Sequence, residues 1–218
     1  MNVLVLAPHP DDESIGCGGT ICLHMERNDR VSVAFLTSGE LGLKHLTPED
    51  ACRVREKEAE AAASVLGLVQ LHFLRFPDWF LIESVDAAAD ALGSILAREQ
   101  PDLIYVPHDG EWHPDHKASL PCLSAALRTA HTYVPTLLTY EVWTPLPEYD
   151  QVEDITPHVN TKLRAIRCYR SQLKAFRYDR AARGLGQYRG ALAAHCRYAE
   201  VFRYVDLQQA VPSGEETK

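Results

Sequence analysis

Two short clusters hold the residues of this chain whose types and spacing could do chemistry: Pro8-His9-Pro10-Asp11-Asp12-Glu13 and His113-Pro114-Asp115-His116. Histidine plus carboxylate is the ligand set of a borderline divalent metal, and three protein ligands with one open position make a catalytic zinc site. His9 and Asp12, three apart on a tight turn, can face one ion, and His116 can complete the set. Asp11 neighbours a ligand but points elsewhere, which leaves it free to take a proton from water activated by the metal. His113, one helical turn from His116, can face a substrate, while Asp115 can hold an imidazole's tautomer. So much uncompensated acid at one place costs repulsion unless a cation sits among the groups.

Elements must bring the clusters together. Strand-length apolar runs alternate with helical patterns. Strands are expected at Asn2–Ala7, Val31–Thr37, Leu71–Arg75, Leu103–Pro107 and Thr136–Trp143. Helices are expected at Gly16–Arg27, Thr47–Leu68, Ser84–Arg98 and from Pro114 to about residue 130. Thr47 reads as an N-cap, with Pro48 at the first helical position and Gly67 as the stop. The alternation predicts an α/β fold: a Rossmann-like, doubly wound, mostly parallel sheet with helices on both faces. In such a sheet the loops leaving the carboxyl ends of the strands share one rim, where ligands bind. Both clusters follow strands and so land there, with Thr37-Ser38-Gly39-Glu40 and Phe76-Pro77-Asp78 beside them. Beyond Pro147 a helical, partly basic pattern covers Asp154–Leu173. Residues 150–210 are read as a helical C-terminal lobe of one domain spanning 1–210, with a polar tail over 211–218.

The 218 residues carry 22 Lys and Arg against 30 Asp and Glu, a net charge of −8. That balance speaks against nucleic-acid binding and gives no field toward an anionic membrane. Six cysteines without a CxxC pair are too sparse for a disulfide framework. The opening apolar run ends at Pro8, short of a signal-peptide core or a membrane span. A reduced, cytoplasmic protein is expected, acting on a small molecule. An apolar C-terminal face could pair two copies.

The residues resemble the PIG-L/LmbE-like family of metal-dependent N-acetylglucosamine deacetylases. The likeness is carried by Pro8–Glu13 with Gly18-Gly19, and by His113-Pro114-Asp115-His116. It extends to Thr37–Glu40, Arg55-Glu56-Lys57-Glu58, Phe76-Pro77-Asp78 and Tyr198-Ala199-Glu200. The resemblance implies His9, Asp12 and His116 as metal ligands, Asp11 as general base, and His113 as the acid or electrophile acting on the amide. It implies that Asp115 orients the His113 imidazole, and it suggests Arg55 and Asp78 as contacts to sugar hydroxyls. Zinc is the expected metal, although iron(II) suits the same ligands, and the expected reaction is removal of an N-acetyl group as acetate.

Other readings compete. Gly16, Gly18 and Gly19 after the first strand suggest a dinucleotide site, but Ile21 stands where the third glycine of GxGxxG belongs. Asp11, Asp12 and Glu13 would also repel a pyrophosphate. An iron(II) oxygenase shares the two-histidine, one-carboxylate set, yet oxygen chemistry has no need of Asp11 or His113. A non-catalytic metal- or sugar-binding module is the remaining alternative. Glu13 either serves the site or complements the following helix dipole. Glu40 is divided between turn chemistry and substrate contact, and His108 and Asp109 have no assigned part.

Overall fold

The computed structural model describes residues 1–129 and 134–206. Residue 130 of the expected fourth helix and the tail from Val211 lie outside them. Chain order is β1 (Asn2–Ala7), α1 (Asp12–Glu26), β2 (Arg30–Thr37), α2 (Pro48–Leu66), β3 (Gln70–Phe76), α3 (Val85–Glu99), β4 (Leu103–Pro107), α4 (Pro114–Thr129), β5 (Thr136–Tyr140), β6 (Gln151–Asp154), α5 (Val159–Ile166), α6 (Arg170–Leu173), α7 (Tyr178–Arg189) and β7 (Ala199–Tyr204). Thr47 caps α2 by accepting from the Asp50 N–H. Pro48 sits in its first turn, and Gly67 closes it at a φ of 82°.

Among the described residues, seven strands run in the order β3-β2-β1-β4-β5-β7-β6. β1 through β5 pair in parallel, and the expected doubly wound, mostly parallel sheet is what forms. Winding proceeds outward from β1 in both directions, so the switch point lies between β1 and β4. Alternation along β1 sends Val3, Val5 and Ala7 into one core with α1, α2, α5 and α7. Leu4 and Leu6 enter a second core with α3 and α4.

The C-terminal part differs from expectation. It carries helices, but also β6 and β7, which extend the sheet antiparallel beyond β5. β7 hid in the sequence because Glu200 interrupts its apolar face. That carboxylate is buried and accepts from Gly19 N–H, Thr20 N–H, the Thr20 hydroxyl and Lys162 Nζ, which ties β7 and α5 to α1. α1 also starts four residues earlier than expected, at Asp12, so Asp12 and Glu13 lie in its first turn. The glycines of α1 serve packing: a Cβ on Gly16 would stand 2.2 Å from Tyr140 Cδ2, and one on Gly19 2.5 Å from Ile155 Cγ2. Among the described residues no helix is long and apolar enough to cross a membrane.

Candidate active site

Between β1 and α1 the chain turns through Pro8-His9-Pro10-Asp11, and Asp11 adopts a φ of 134°. Few non-glycine residues hold such a conformation unless their surroundings fix it. Here the Asp11 N–H donates to Glu13 Oε2 at 3.1 Å, and the Arg55 guanidinium donates to Pro10 O and stands 3.5 Å from Asp11 Oδ1. Glu13 is locked in turn by the Ser14 and Tyr169 hydroxyls. The turn delivers His9 and Asp12 to the switch point, and the first turn of α4 delivers His116 opposite them.

Three ligand atoms converge. His9 Nδ1 and Asp12 Oδ2 are 3.3 Å apart, His116 Nε2 and Asp12 Oδ2 3.2 Å, and His116 Nε2 and His9 Nδ1 3.3 Å. All three residues are buried. His113 stands next to them, its ring centroid 4.7 Å from His9 and 5.5 Å from His116. Two wider groups overlap the triangle, His9 with His113 and His116, and His9 with Asp78, His113 and Asp115. Each has ligand atoms within 4.8 Å of one another, so this cluster can hold a metal ion. Buried atoms without a hydrogen-bond partner, Asp12 Oδ1 and His116 Nδ1, belong to the same cluster.

Orientation of His9 comes from its other nitrogen. Nε2 lies 3.1 Å from Asp115 Oδ2 and 3.2 Å from Asp78 Oδ1. Two carboxylates there fix the hydrogen on Nε2 and leave the Nδ1 lone pair for the triangle. The resemblance placed Asp115 against His113. The Asp115 carboxylate instead sits against His9, 3.9 Å from His113 Nδ1. The contact with His113 is made by the Asp115 backbone, whose N–H donates to His113 Nδ1 at 3.2 Å. With Nδ1 accepting, the hydrogen of neutral His113 is on Nε2. Asp78, expected at the sugar, stands beside His9, accepts the Leu41 N–H at 3.0 Å and is 4% exposed. Arg55 is buried beneath the Asp11 turn rather than open to a ligand.

Charge follows this packing. Burial opposes a charge on His9, but Asp115, Asp12 and Asp78 together hold its pKa well above the ordinary imidazole value. Burial likewise opposes charge on Asp12, and His116 and His9 overcome it to keep Asp12 below the carboxylate range. Burial pushes Asp11 up to about 8 against the pull of Arg55. Burial, then His9 and His116, push His113 down to about 4.

Some residues of the site carried no signal as part of it. Glu111 is fully buried and accepts the N–H groups of Val142, Trp143 and Thr144, with distances from 2.7 Å. Its hold on the chain after β5 lays Trp143 on His116, with ring centroids 4.7 Å apart and planes at 17°. An acid two residues before a site histidine at a strand end is the one hint the sequence offers. Trp143 also lines a cavity of about 380 Å³ bounded by α1 and α7, with Ile15, Tyr178 and Leu185 among its walls. Of the unassigned residues, Glu40 accepts the Asp78 N–H at 3.1 Å. His108 bridges Thr144 O and Gly110 N–H as a loop brace, and Asp109 is exposed.

The chain is similar to known proteins in both sequence and fold. Probable N-acetyl-alpha-D-glucosaminyl L-malate deacetylase 2 of Bacillus cereus is 32% identical over 195 residues, covering 84% of this chain and 88% of that protein. The structure of the conserved protein TT1542 from Thermus thermophilus superposes with a TM-score of 0.83 at 30% identity, covering 99% of this chain and 98% of that one. N,N'-diacetylchitobiose deacetylase from Pyrococcus horikoshii gives a TM-score of 0.82 at 26% identity, covering 99% and 87%. Residues 4–127 match the family described as PIG-L, GlcNAc-PI de-N-acetylase, and the chain belongs to that family.

Proposed function

We propose that this protein is a metal-dependent N-deacetylase. It hydrolyses the acetamide of an N-acetylglucosamine-type sugar or conjugate to acetate and a free amine. One observation carries the reading: the triangle of His9 Nδ1, Asp12 Oδ2 and His116 Nε2, with sides of 3.2–3.3 Å. Ligands about 2.0–2.1 Å from a tetrahedral zinc stand about 3.3–3.4 Å from each other, so the donor set fits zinc in both chemistry and size. Iron(II) fits the same donors. His9, Asp12 and His116 would hold the ion, since the second nitrogen of His9 is committed to Asp78 and Asp115. A bound divalent cation supplies Lewis acidity, acidifying water and polarising an acyl oxygen.

The chain's own groups do the rest. Asp11 stands outside the triangle, pinned by its turn and by Arg55, and serves as the base that takes the proton of the attacking water. The same carboxyl returns that proton to the leaving nitrogen, which an amide needs before its C–N bond breaks. His113 presents Nε2–H to the acyl oxygen and stabilises the charge that develops there. Asp115 and Asp78 position His9, and Trp143 positions His116. The non-catalytic module finds no support among the relatives.

Acetate release from a panel of N-acetylated amino sugars, with and without chelator and after return of zinc or iron(II), tests the reading. Release that chelation abolishes and metal restores is expected. Metal-loaded protein that releases no acetate from any of them would contradict it.

A further inference from the structure

The loops after β3 and β4 each leave an indole at the mouth of the site. Trp79 is 47% and Trp112 56% exposed, yet both sit against His113, which is 4% exposed. Ring centroids lie 4.6 Å apart for Trp79 and His113, 5.4 Å for Trp112 and His113, and 6.4 Å between the two indoles. Leaving two large apolar rings half in water forgoes hydrophobic burial. Trp79 also holds a φ of 74°, a region that bulky residues seldom enter.

What fixes it there is the site itself. The Trp79 N–H donates to Asp115 Oδ2 at 2.7 Å, and the Leu81 N–H donates to Asp115 Oδ1 at 3.1 Å. The oxygen that holds Trp79 is the one 3.1 Å from His9 Nε2. Backbone strain maintained by a site carboxylate, with an exposed ring as its product, is the pattern of a ligand clamp. Trp112 stands on an equally fixed base: Glu111 before it is anchored by three backbone N–H groups, and its own ring stacks on Trp143 at 5.0 Å and 23°.

We propose that Trp79 and Trp112 form an aglycone subsite that stacks the C–H face of a second pyranose ring, beyond the acetamido sugar. The inference rests on the deacetylase reading and narrows its substrate to ring-bearing glycosides. Going outward, the order is the His9–Asp12–His116 triangle, then His113, then the indoles. A sugar whose acetamido group reaches His113 therefore passes beside the two rings, and the ring linked to it lies against their exposed outer faces. Flat aromatic faces gain by covering apolar C–H surface, and half-exposed rings leave the hydroxyl edges of the sugar in water. An anionic aglycone is poorly served. Asp78, Asp115 and Glu40 lie on this side, and the Arg55 guanidinium is committed to Pro10 O and Asp11.

The test compares kcat/KM for N-acetylglucosamine, N,N'-diacetylchitobiose and N-acetylglucosaminyl malate in the metal-loaded wild type, Trp112→Ala, Trp112→Phe and Trp79→Ala. The wild type should favour the disaccharide. Its preference over the monosaccharide should fall about tenfold in either alanine variant and be largely kept by phenylalanine. In parallel, quenching of tryptophan fluorescence by the disaccharide in chelator-treated protein reads the subsite without turnover. Tighter disaccharide binding that Trp112→Ala weakens, together with no acetate released by the metal-loaded protein, would contradict the deacetylase and keep the subsite. An unchanged preference in both alanine variants, or a wild type that favours the malate conjugate, overturns the subsite and leaves deacetylation standing.

Discussion

Asp115 Oδ2 lies 3.1 Å from His9 Nε2, joining the first turn of α4 to the turn after β1. The contact selects which nitrogen of His9 carries hydrogen, and so which one faces Asp12 and His116. The same carboxylate holds the backbone of Trp79 and Leu81. One buried acid thus positions both the floor and the mouth of the site.

Asp115→Asn should therefore weaken metal binding without removing any ligand of the triangle. Loss of a carboxylate partner to a ligating histidine costs about 10–100-fold in metal affinity. Competition titration against a chromophoric chelator measures it. Unchanged affinity would show that His9 does not depend on Asp115 for its orientation.

Asp11→Asn should retain metal and lose turnover, by about 10²–10⁴-fold for a group acting in proton transfer. Metal content and single-turnover acetate release on the same preparation separate the two effects. A variant that loses its metal would mean that Asp11, and not Asp12, is the ligand.

The two clusters and the strand ends that carry them were legible in the sequence because local pattern decides them. An apolar run, a turn and a helix start suffice to put His9 and His116 on one rim. Partners brought in from distant segments were not legible. The resemblance set Asp115 against His113, but the first helical turn of α4 aims the carboxylate across at His9. The resemblance suggested Arg55 as a ligand contact, and only the packing of α2 beneath the Asp11 turn shows what it holds. β6 was hidden by its brevity and polarity, Gln151-Val152-Glu153-Asp154, since its strand character comes from pairing with β7.

Gly16→Ala should destabilise the fold without touching a site side chain. Its Cβ would stand 2.2 Å from Tyr140 Cδ2 and 2.9 Å from the backbone oxygen of Glu141, and Tyr140 is itself fixed by a hydroxyl bond to Leu6 O at 2.9 Å. Overpacking of this kind costs about 1–3 kcal/mol. Thermal or urea unfolding reads the loss, and a variant of wild-type stability would show that α1 can move away from the sheet.

Glu99 gives the stability a defined acid limb. Burial raises its pKa, but the Ser32 hydroxyl, His72 and Arg98 outweigh burial and hold it below its ordinary 4.5. A carboxyl whose folded pKa is depressed contributes stability that is present above the unfolded value and is lost as pH falls through the folded one. Denaturation midpoints measured below pH 4.5 should therefore fall less steeply in Glu99→Gln than in the wild type. Identical slopes would show that Glu99 does not contribute.

The most direct measurement is anomalous diffraction at the zinc edge from crystals grown with zinc. We expect an ion about 2.0–2.1 Å from His9 Nδ1, Asp12 Oδ2 and His116 Nε2, with His113 outside its coordination sphere. An ion bound instead through His9 Nε2, Asp78 and Asp115, or no ion among these residues, would contradict the central claim.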